Sequence, residues 1–135
     1  MRASDPSHPK SSNQKFPSPL GRHWLIELYD CVPSTLQKEE TVEAAMCEAA
    51  HRAGATVVTS TFHQFAPQGV SGVVVIQESH LTIHTWPEYG YAALDLFTCG
   101  DTVRPEAAVD FLVETFSVGR WEMVEVERGK GGVMG

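Results

Sequence analysis

The sequence has few cysteines and few basic residues. Its three cysteines, Cys31, Cys47 and Cys99, are scattered through 135 residues, too sparsely for a disulfide framework or a paired-cysteine zinc site. There are 10 Lys and Arg residues against 17 Asp and Glu, and the basic residues form no run. We therefore expect a reducing compartment and no nucleic-acid partner.

Long apolar runs are missing as well. No stretch could span a bilayer, and the first residues, MRASDPSHPKSSNQKFPSP, do not resemble a signal peptide. We therefore expect no membrane partner and a location in the cytoplasm. The Ser- and Pro-rich residues 1–20 are predicted to form a flexible tail, as are the final residues 130–135. One domain remains between them, over 21–129.

Residue patterns predict the secondary structure of this domain. Two segments have apolar residues at helical spacing, one from Val42 to Ala53 before Gly54, the other from Pro105 towards Gly119. Segments rich in Val, Ile, Thr and aromatic residues indicate strands. These strand segments are 23–29, 55–65, 72–86, 91–98 and 121–127.

The order of these segments suggests two related halves, each with one helix to cover a sheet. The predicted fold class is α+β, a two-layer α/β sandwich whose two helices lie on one face of an antiparallel sheet. The other face of such a sheet also needs cover. In a chain of this length, a partner subunit is the expected source of that cover.

Reactive side chains are densest between residues 71 and 99, where they interrupt an apolar strand. In a straight strand Ser79 and His84, five residues apart in the sequence, would point to opposite faces. For His84 to act on Ser79, we expect a bulge or turn between them, in the Glu78-Ser79-His80 run. The cluster consists of Ser71, Glu78, Ser79, His80, His84, Trp86, Glu88 and Cys99.

From about residue 20 to residue 129 the chain resembles the prokaryotic S-adenosylmethionine decarboxylases, which are pyruvoyl enzymes made as proenzymes. The resemblance rests on LGRHWLIELYDC near the start and on TSTFHQFAPQGVSGVVVIQESHLTIHTWPEYGYAALDLFTCG further along. It implies the fold of that family and a homodimer with sites at or near the subunit interface. It also implies decarboxylation of S-adenosylmethionine for spermidine and polyamine synthesis.

The resemblance implies that the chain cuts itself between Glu78 and Ser79 into residues 1–78 and 79–135, which stay associated. The Ser79 hydroxyl would attack the Glu78 carbonyl to form an ester. The residue matching His84 would then remove the α-proton, and elimination and hydrolysis would leave a pyruvoyl group at residue 79. Ser71 matches a residue thought to assist this processing through a hydrogen bond.

The same resemblance assigns the residues of the decarboxylation step. The pyruvoyl group would form a Schiff base with the substrate, so neither a metal nor pyridoxal phosphate is expected. Cys99 matches the residue that returns a proton to the substrate carbon. Phe65 and Trp86 match the aromatic residues that face adenine, and Glu88 matches the carboxylate that accepts the ribose hydroxyls.

Other interpretations of these residues remain open at this stage. A pyruvoyl decarboxylase of this fold could act on ornithine or arginine, and an unprocessed copy could regulate an active partner. Taken alone, Ser79 is a turn serine and Cys99 an inert thiol. A metal site is disfavoured because its four possible ligands lack compact spacing. Those ligands are His63, His80, His84 and Cys99.

Overall fold

A computed structural model describes residues 18–130, so residues 1–17 and 131–135 of the predicted tails lie outside the described part of the chain. The described residues form six strands and two helices, with short 3₁₀ turns at Pro33–Leu36 and Pro87–Tyr89. In chain order the elements are β1 Gly21–Tyr29, α1 Glu39–Arg52, β2 Val57–Gln64, β3 Val70–Ile76, β4 Ser79–Trp86, β5 Tyr91–Cys99, α2 Pro105–Thr115 and β6 Arg120–Arg128.

The six strands form one sheet in the order β2-β3-β4-β5-β1-β6, and every neighbouring pair is antiparallel. The period-2 alternation of apolar residues determines which face of each strand is buried. In β5, Ala92, Leu94 and Leu96 are buried. They join one core with the inward faces of both helices, which include Met46 and Leu112. The predicted fold class is therefore confirmed.

The segment 72–86 is a hairpin, so the prediction of a single strand there is wrong. β3 ends at Ile76, β4 begins at Ser79, and a two-residue turn joins them. The Gln77 amide donates to the Thr56 carbonyl at 2.9 Å, and the Thr56 amide donates to the Glu78 carboxylate at 3.2 Å. A neighbouring loop therefore holds this turn, which lacks the Gly or Asn that tight turns favour.

The expected bulge or turn between Ser79 and His84 is also wrong. β4 runs unbroken from Ser79 to Trp86 and pairs with β5 along that whole length. The turn lies before Ser79 instead, because the hydrogen bonds to Thr56 reverse the chain at Gln77 and Glu78. Ser79 and His84 therefore stand on one straight strand.

The sheet has a second face, which we call the open face because neither helix covers it. Cross-strand pairing places Leu25 beside Val124 on this face, and their side chains are 39% and 57% exposed. Val75 and Val126 are further exposed apolar residues there. A single chain thus leaves an apolar sheet surface in water, as the sequence predicts for a chain that needs a partner.

Candidate active site

Three of the predicted site residues meet at one end of the sheet, which we call the Ser79 end. Ser79 begins β4 and Cys99 ends β5, and the Ser79 Oγ lies 3.9 Å from the Cys99 Sγ. The backbone amide of Cys99 donates a hydrogen bond of 3.0 Å to the carbonyl oxygen of Glu78. The Ser79 hydroxyl therefore stands next to a peptide carbonyl that is already polarised by a fixed donor.

The backbone is strained at the same position. Ser79 has a φ of 154°, a value that residues with a Cβ rarely adopt. Such conformations cost about 1–3 kcal/mol and persist only where surrounding bonds enforce them. Here the bonds from the turn to Thr56 and the pairing of Ser79 with Thr98 enforce it. Ser79 is thus held in an unfavourable backbone conformation directly after the Glu78 carbonyl.

Five other predicted residues line an open cleft of about 320 Å³ on the open face, which we call the His84 cleft. They are Phe65, Ser71, His84, Trp86 and Glu88. Ser71 and His84 are paired across β3 and β4, and the Ser71 Oγ lies 2.7 Å from the His84 Nδ1. This bond fixes the imidazole ring. In the tautomer in which Nδ1 donates to the Ser71 hydroxyl, the other nitrogen, Nε2, has the lone pair that can take a proton.

The rest of the His84 cleft suits a flat aromatic ligand with hydroxyl groups. Phe65 is 46% exposed and Trp86 is 38% exposed, so both rings can be contacted from solvent. Trp86 also packs on Tyr91, with ring centroids 5.3 Å apart. Glu88 lies in the 3₁₀ turn that follows β4, at the rim of the cleft. Aromatic side chains and one carboxylate therefore converge there.

The Ser79 end and the His84 cleft are separate within one chain. Five residues of an extended strand, at about 3.3 Å each, put Ser79 and His84 about 16 Å apart along β4. The strand is continuous, so no local bend shortens this distance. His84 of a given chain therefore does not reach Ser79 of the same chain.

Cys31 and His63 are not among the residues of these two clusters. Burial and the nearby Asp30 raise the pKa of the Cys31 thiol to about 11, which suits an unreactive core residue. His63 packs on Phe65 beside the cleft, with ring centroids 4.6 Å apart. Within residues 18–130, no three His, Cys, Asp or Glu side chains gather as metal ligands would.

Comparisons with known proteins bear on the chemistry of both clusters. Residues 22–129 match the protein family described as S-adenosylmethionine decarboxylase. The chain belongs to the S-adenosylmethionine decarboxylase family. This confirms the family that the motifs around Ser79 predicted.

Individual members of the S-adenosylmethionine decarboxylase family are similar over most of their length. A protein of Thermotoga petrophila is 57% identical over 82% of this chain and 85% of its own. A protein of Acidithiobacillus ferrooxidans is 53% identical over 86% of this chain and 87% of its own. Both are named S-adenosylmethionine decarboxylase proenzyme.

A solved structure from the S-adenosylmethionine decarboxylase family shows the same fold. The adenosylmethionine decarboxylase of Aquifex aeolicus superposes with a TM-score of 0.76 at 34% sequence identity. The match covers 84% of this chain and 93% of the Aquifex chain. The arrangement of six strands and two helices is therefore that of the family.

Sequence reasoning missed several residues of the site in this S-adenosylmethionine decarboxylase family member. Gln68 lines the His84 cleft, and Tyr91, which supports Trp86, donates a hydrogen bond to Glu27. Burial and the bond to Glu27 raise the pKa of Tyr91, so its phenol stays protonated at neutral pH. Tyr91 and Thr85, a buried residue of the cleft wall, fit an ordinary strand pattern, so no sequence signal set them apart.

The lengths of the two helices bear on membrane insertion. Among residues 18–130, no helix has the length and apolarity needed to cross a bilayer. The two helices have 14 and 11 residues, and one face of each belongs to the core.

Proposed function

We propose that the chain is a self-processing S-adenosylmethionine decarboxylase that cuts itself between Glu78 and Ser79 and carries a pyruvoyl group at residue 79. The observation that carries this proposal is the geometry of the Ser79 end. There a serine hydroxyl, a strained φ angle at Ser79 and a hydrogen-bonded carbonyl coincide. The relatives named proenzymes, which share more than half of their aligned residues with this chain, support it.

Self-processing begins when the Ser79 Oγ attacks the Glu78 carbonyl carbon. The C–N bond breaks, an ester forms, and the nitrogen remains on residue 79 as an amine. The Cys99 amide stabilises the negative charge on the Glu78 oxygen during this shift. A base then removes the Ser79 α-proton, and the Glu78 carboxylate departs. The resulting dehydroalanine becomes an imine, which water converts to the ketone and ammonia.

His84 is the proposed base, and it comes from a second copy of the chain. In one chain His84 lies too far along β4 to reach Ser79, whereas two copies stacked by their open faces can bring the His84 cleft of one onto the Ser79 end of the other. A two-fold dimer repeats every contact, so it would contain two such composite sites. The exposed apolar residues of the open face support this arrangement.

The two fragments stay together after cleavage because the sheet joins them. Residues 1–78 contain β1, β2 and β3, and residues 79–135 contain β4, β5 and β6. Three strand pairings connect the fragments: β3 with β4, β1 with β5, and β1 with β6. The hydrogen bonds of these three pairings and the shared core hold the mature domain together after the peptide bond is cut.

The residues around Ser79 fit a pyruvoyl group formed from it. A pyruvoyl group at this position supplies a carbonyl that binds the substrate amine and accepts the electron pair released with carbon dioxide. The Cys99 thiol, exposed and 3.9 Å from the Ser79 Oγ, is placed to deliver a proton to the substrate carbon. Neither pyridoxal phosphate nor a metal is part of the proposed reaction.

The His84 cleft sets the substrate. Phe65 and Trp86 offer ring faces to adenine, and their electron-rich faces also attract a sulfonium cation. The Glu88 carboxylate can accept hydrogen bonds from both ribose hydroxyls. Ornithine and arginine have neither an adenine ring to stack on both aromatic side chains nor ribose hydroxyls to donate to Glu88, so the adenosyl substrate is favoured. The product would donate aminopropyl groups for spermidine, in the cytoplasm, a compartment that fits three free cysteines.

Two measurements on the purified full chain test the proposal. Intact-mass spectrometry should show two fragments divided between Glu78 and Ser79, whereas the Ser79→Ala chain should stay uncut. The control is Ser60→Ala, which changes a serine bonded to Glu43 and should be cleaved normally. Carbon dioxide release should occur from carboxyl-labelled S-adenosylmethionine. A wild-type chain that remains uncut at neutral pH would overturn self-processing, and release only from ornithine or arginine would overturn the substrate.

A further inference from the structure

Thr85 is a buried polar residue between two residues of the His84 cleft. It follows His84 and precedes Trp86 in β4, and its side chain points into the core, where the residue is only 6% exposed. The other buried residues on this face of β4 are Leu81 and Ile83. Valine has the shape of threonine without the hydroxyl, so packing alone does not require a hydroxyl here.

The Thr85 hydroxyl makes two hydrogen bonds to the backbone. It accepts from the Val70 amide at 2.9 Å and donates to the Leu36 carbonyl at 3.0 Å. These partners lie 15 and 49 residues away in the sequence, in β3 and in the 3₁₀ turn before α1. One side chain thus links β4 both to β3 and to the 3₁₀ turn before α1 through backbone groups.

These bonds lie directly behind the Ser71–His84 pair. Ser71 and His84 form the last pair of the β3–β4 ladder, and beyond them the side chain of Thr85 takes the Val70 amide. Val70 is bonded to Ser71 and Thr85 to His84, so the hydroxyl fixes both residues of the 2.7 Å contact from the buried side. It thereby limits how far the imidazole can shift relative to Ser71.

The same residue shapes the neighbouring wall of the cleft. Gly69 has a φ of 107°, and a Cβ built there would lie 3.2 Å from the Thr85 carbonyl oxygen. Gly69 also accepts a hydrogen bond from the Phe65 amide at 2.8 Å. The loop that carries Phe65 therefore packs against the backbone carbonyl of Thr85, and Trp86 is the next residue along the strand.

We propose that Thr85 is a positioning residue for both reactions of this site. Its hydroxyl holds the Ser71–His84 pair in register for processing. Through the amide of Val70, which follows Gly69, the hydroxyl also holds the Phe65 loop at the spacing from Trp86 that the substrate needs. This inference rests on the roles proposed above for His84, Phe65 and Trp86. Thr85 itself touches neither the substrate nor the bond that is cut.

The test compares Thr85→Val, which removes the hydroxyl and keeps the shape, with Thr85→Ser, which keeps the hydroxyl. Ser60→Ala is the control, because it also removes a hydroxyl that donates a hydrogen bond, here to Glu43 of α1, and Ser60 contacts neither the cleft nor the partners of Thr85. The measurements are the first-order rate of self-cleavage, followed by intact mass, and the KM and kcat of the processed enzyme, all at a temperature where each variant is folded.

We expect Thr85→Val to slow cleavage about tenfold and to raise KM by a similar factor, the cost of losing roughly one well-placed hydrogen bond. Thr85→Ser should restore both values to near wild type, and Ser60→Ala should change neither. Wild-type cleavage and KM in a folded Thr85→Val protein would overturn the inference, even if its melting temperature falls. If Thr85→Val does not fold, Thr85→Cys, a weaker donor, should give intermediate values.

His84→Ala, measured alongside, separates this inference from the proposed function. Normal cleavage in His84→Ala would remove His84 from its role, and the proposed function would fail first. Blocked cleavage in His84→Ala together with normal behaviour of Thr85→Val would overturn only the role of Thr85.

Discussion

The backbone amide of Cys99 donates a hydrogen bond of 3.0 Å to the carbonyl oxygen of Glu78, so β5 fixes the peptide group that the chain is proposed to break. The side chain of the same residue lies 3.9 Å from the Ser79 hydroxyl. Cys99 therefore offers its amide to the processing step and its thiol to the later proton transfer. A substitution can separate these two contributions, because every residue except proline keeps the amide.

Cys99→Ala should leave self-cleavage near the wild-type rate and lower the turnover of S-adenosylmethionine by about 100-fold or more, the usual contribution of a positioned general acid. Intact mass reports the first quantity and release of labelled carbon dioxide the second. Loss of cleavage in this variant would show that the thiol, and not only the amide, takes part in processing.

Mixed dimers should reveal whether His84 acts across two copies. Ser79→Ala and His84→Ala chains are each expected to remain uncut when expressed alone. Co-expressed, the His84→Ala chain should be cut, because it keeps its own Ser79 and receives His84 from the Ser79→Ala copy. Mass spectrometry distinguishes the two chains by their substitutions.

The control for this mixture replaces the Ser79→Ala chain by the double variant Ser79→Ala/His84→Ala, which brings no histidine to the composite site. That mixture should show no cleavage. An uncut His84→Ala chain in the first mixture, with dimers present by sedimentation, would contradict the composite site.

Glu88→Gln should weaken substrate binding without blocking maturation. Hydrogen bonds to a charged group contribute about 1.5–3 kcal/mol, so we expect KM to rise at least about tenfold. Cleavage should proceed, because Ser71 and His84 are unchanged. Glu106→Gln, which alters an exposed carboxylate of α2, should leave KM at its wild-type value; an unchanged KM in Glu88→Gln would remove the ribose contact.

Cys31 should resist alkylation in the folded protein. A pKa of about 11 leaves a thiolate fraction near pH 8 on the order of 100-fold smaller than that of an ordinary cysteine. Iodoacetamide should therefore modify the exposed Cys99 first, and Cys31 only after denaturation in urea, as peptide mass mapping would show. Equal rates at Cys31 and Cys99 in the folded chain would contradict the burial of Cys31.

The sequence predicted most of this fold because its apolar residues alternate cleanly. Leu94 and Leu96 mark the buried face of β5, and Val109 and Leu112 mark that of α2. The turn at Gln77 and Glu78 was missed because its hydrogen bonds run to Thr56, a residue distant in sequence. No local residue preference signals such a turn.

The site was predicted residue by residue through the resemblance, but its division into two clusters was not. A spacing of five residues between Ser79 and His84 is short in sequence and long on an extended strand. Pattern alone does not say whether the chain bends there, and the ladder with β5 shows that it stays straight. The role proposed for Thr85 was missed because threonine is common in strands, so its position in β4 fits an ordinary strand pattern.

The straightness of β4 gives the proposed dimer a kinetic consequence. A solitary newly made chain would carry both a serine and a histidine and still be unable to mature, because each lacks its counterpart. Maturation would become second order in dilute solution and first order once dimers saturate. Cleavage would thus require that two folded copies have formed a dimer, and the active form would accumulate only above the concentration at which they associate.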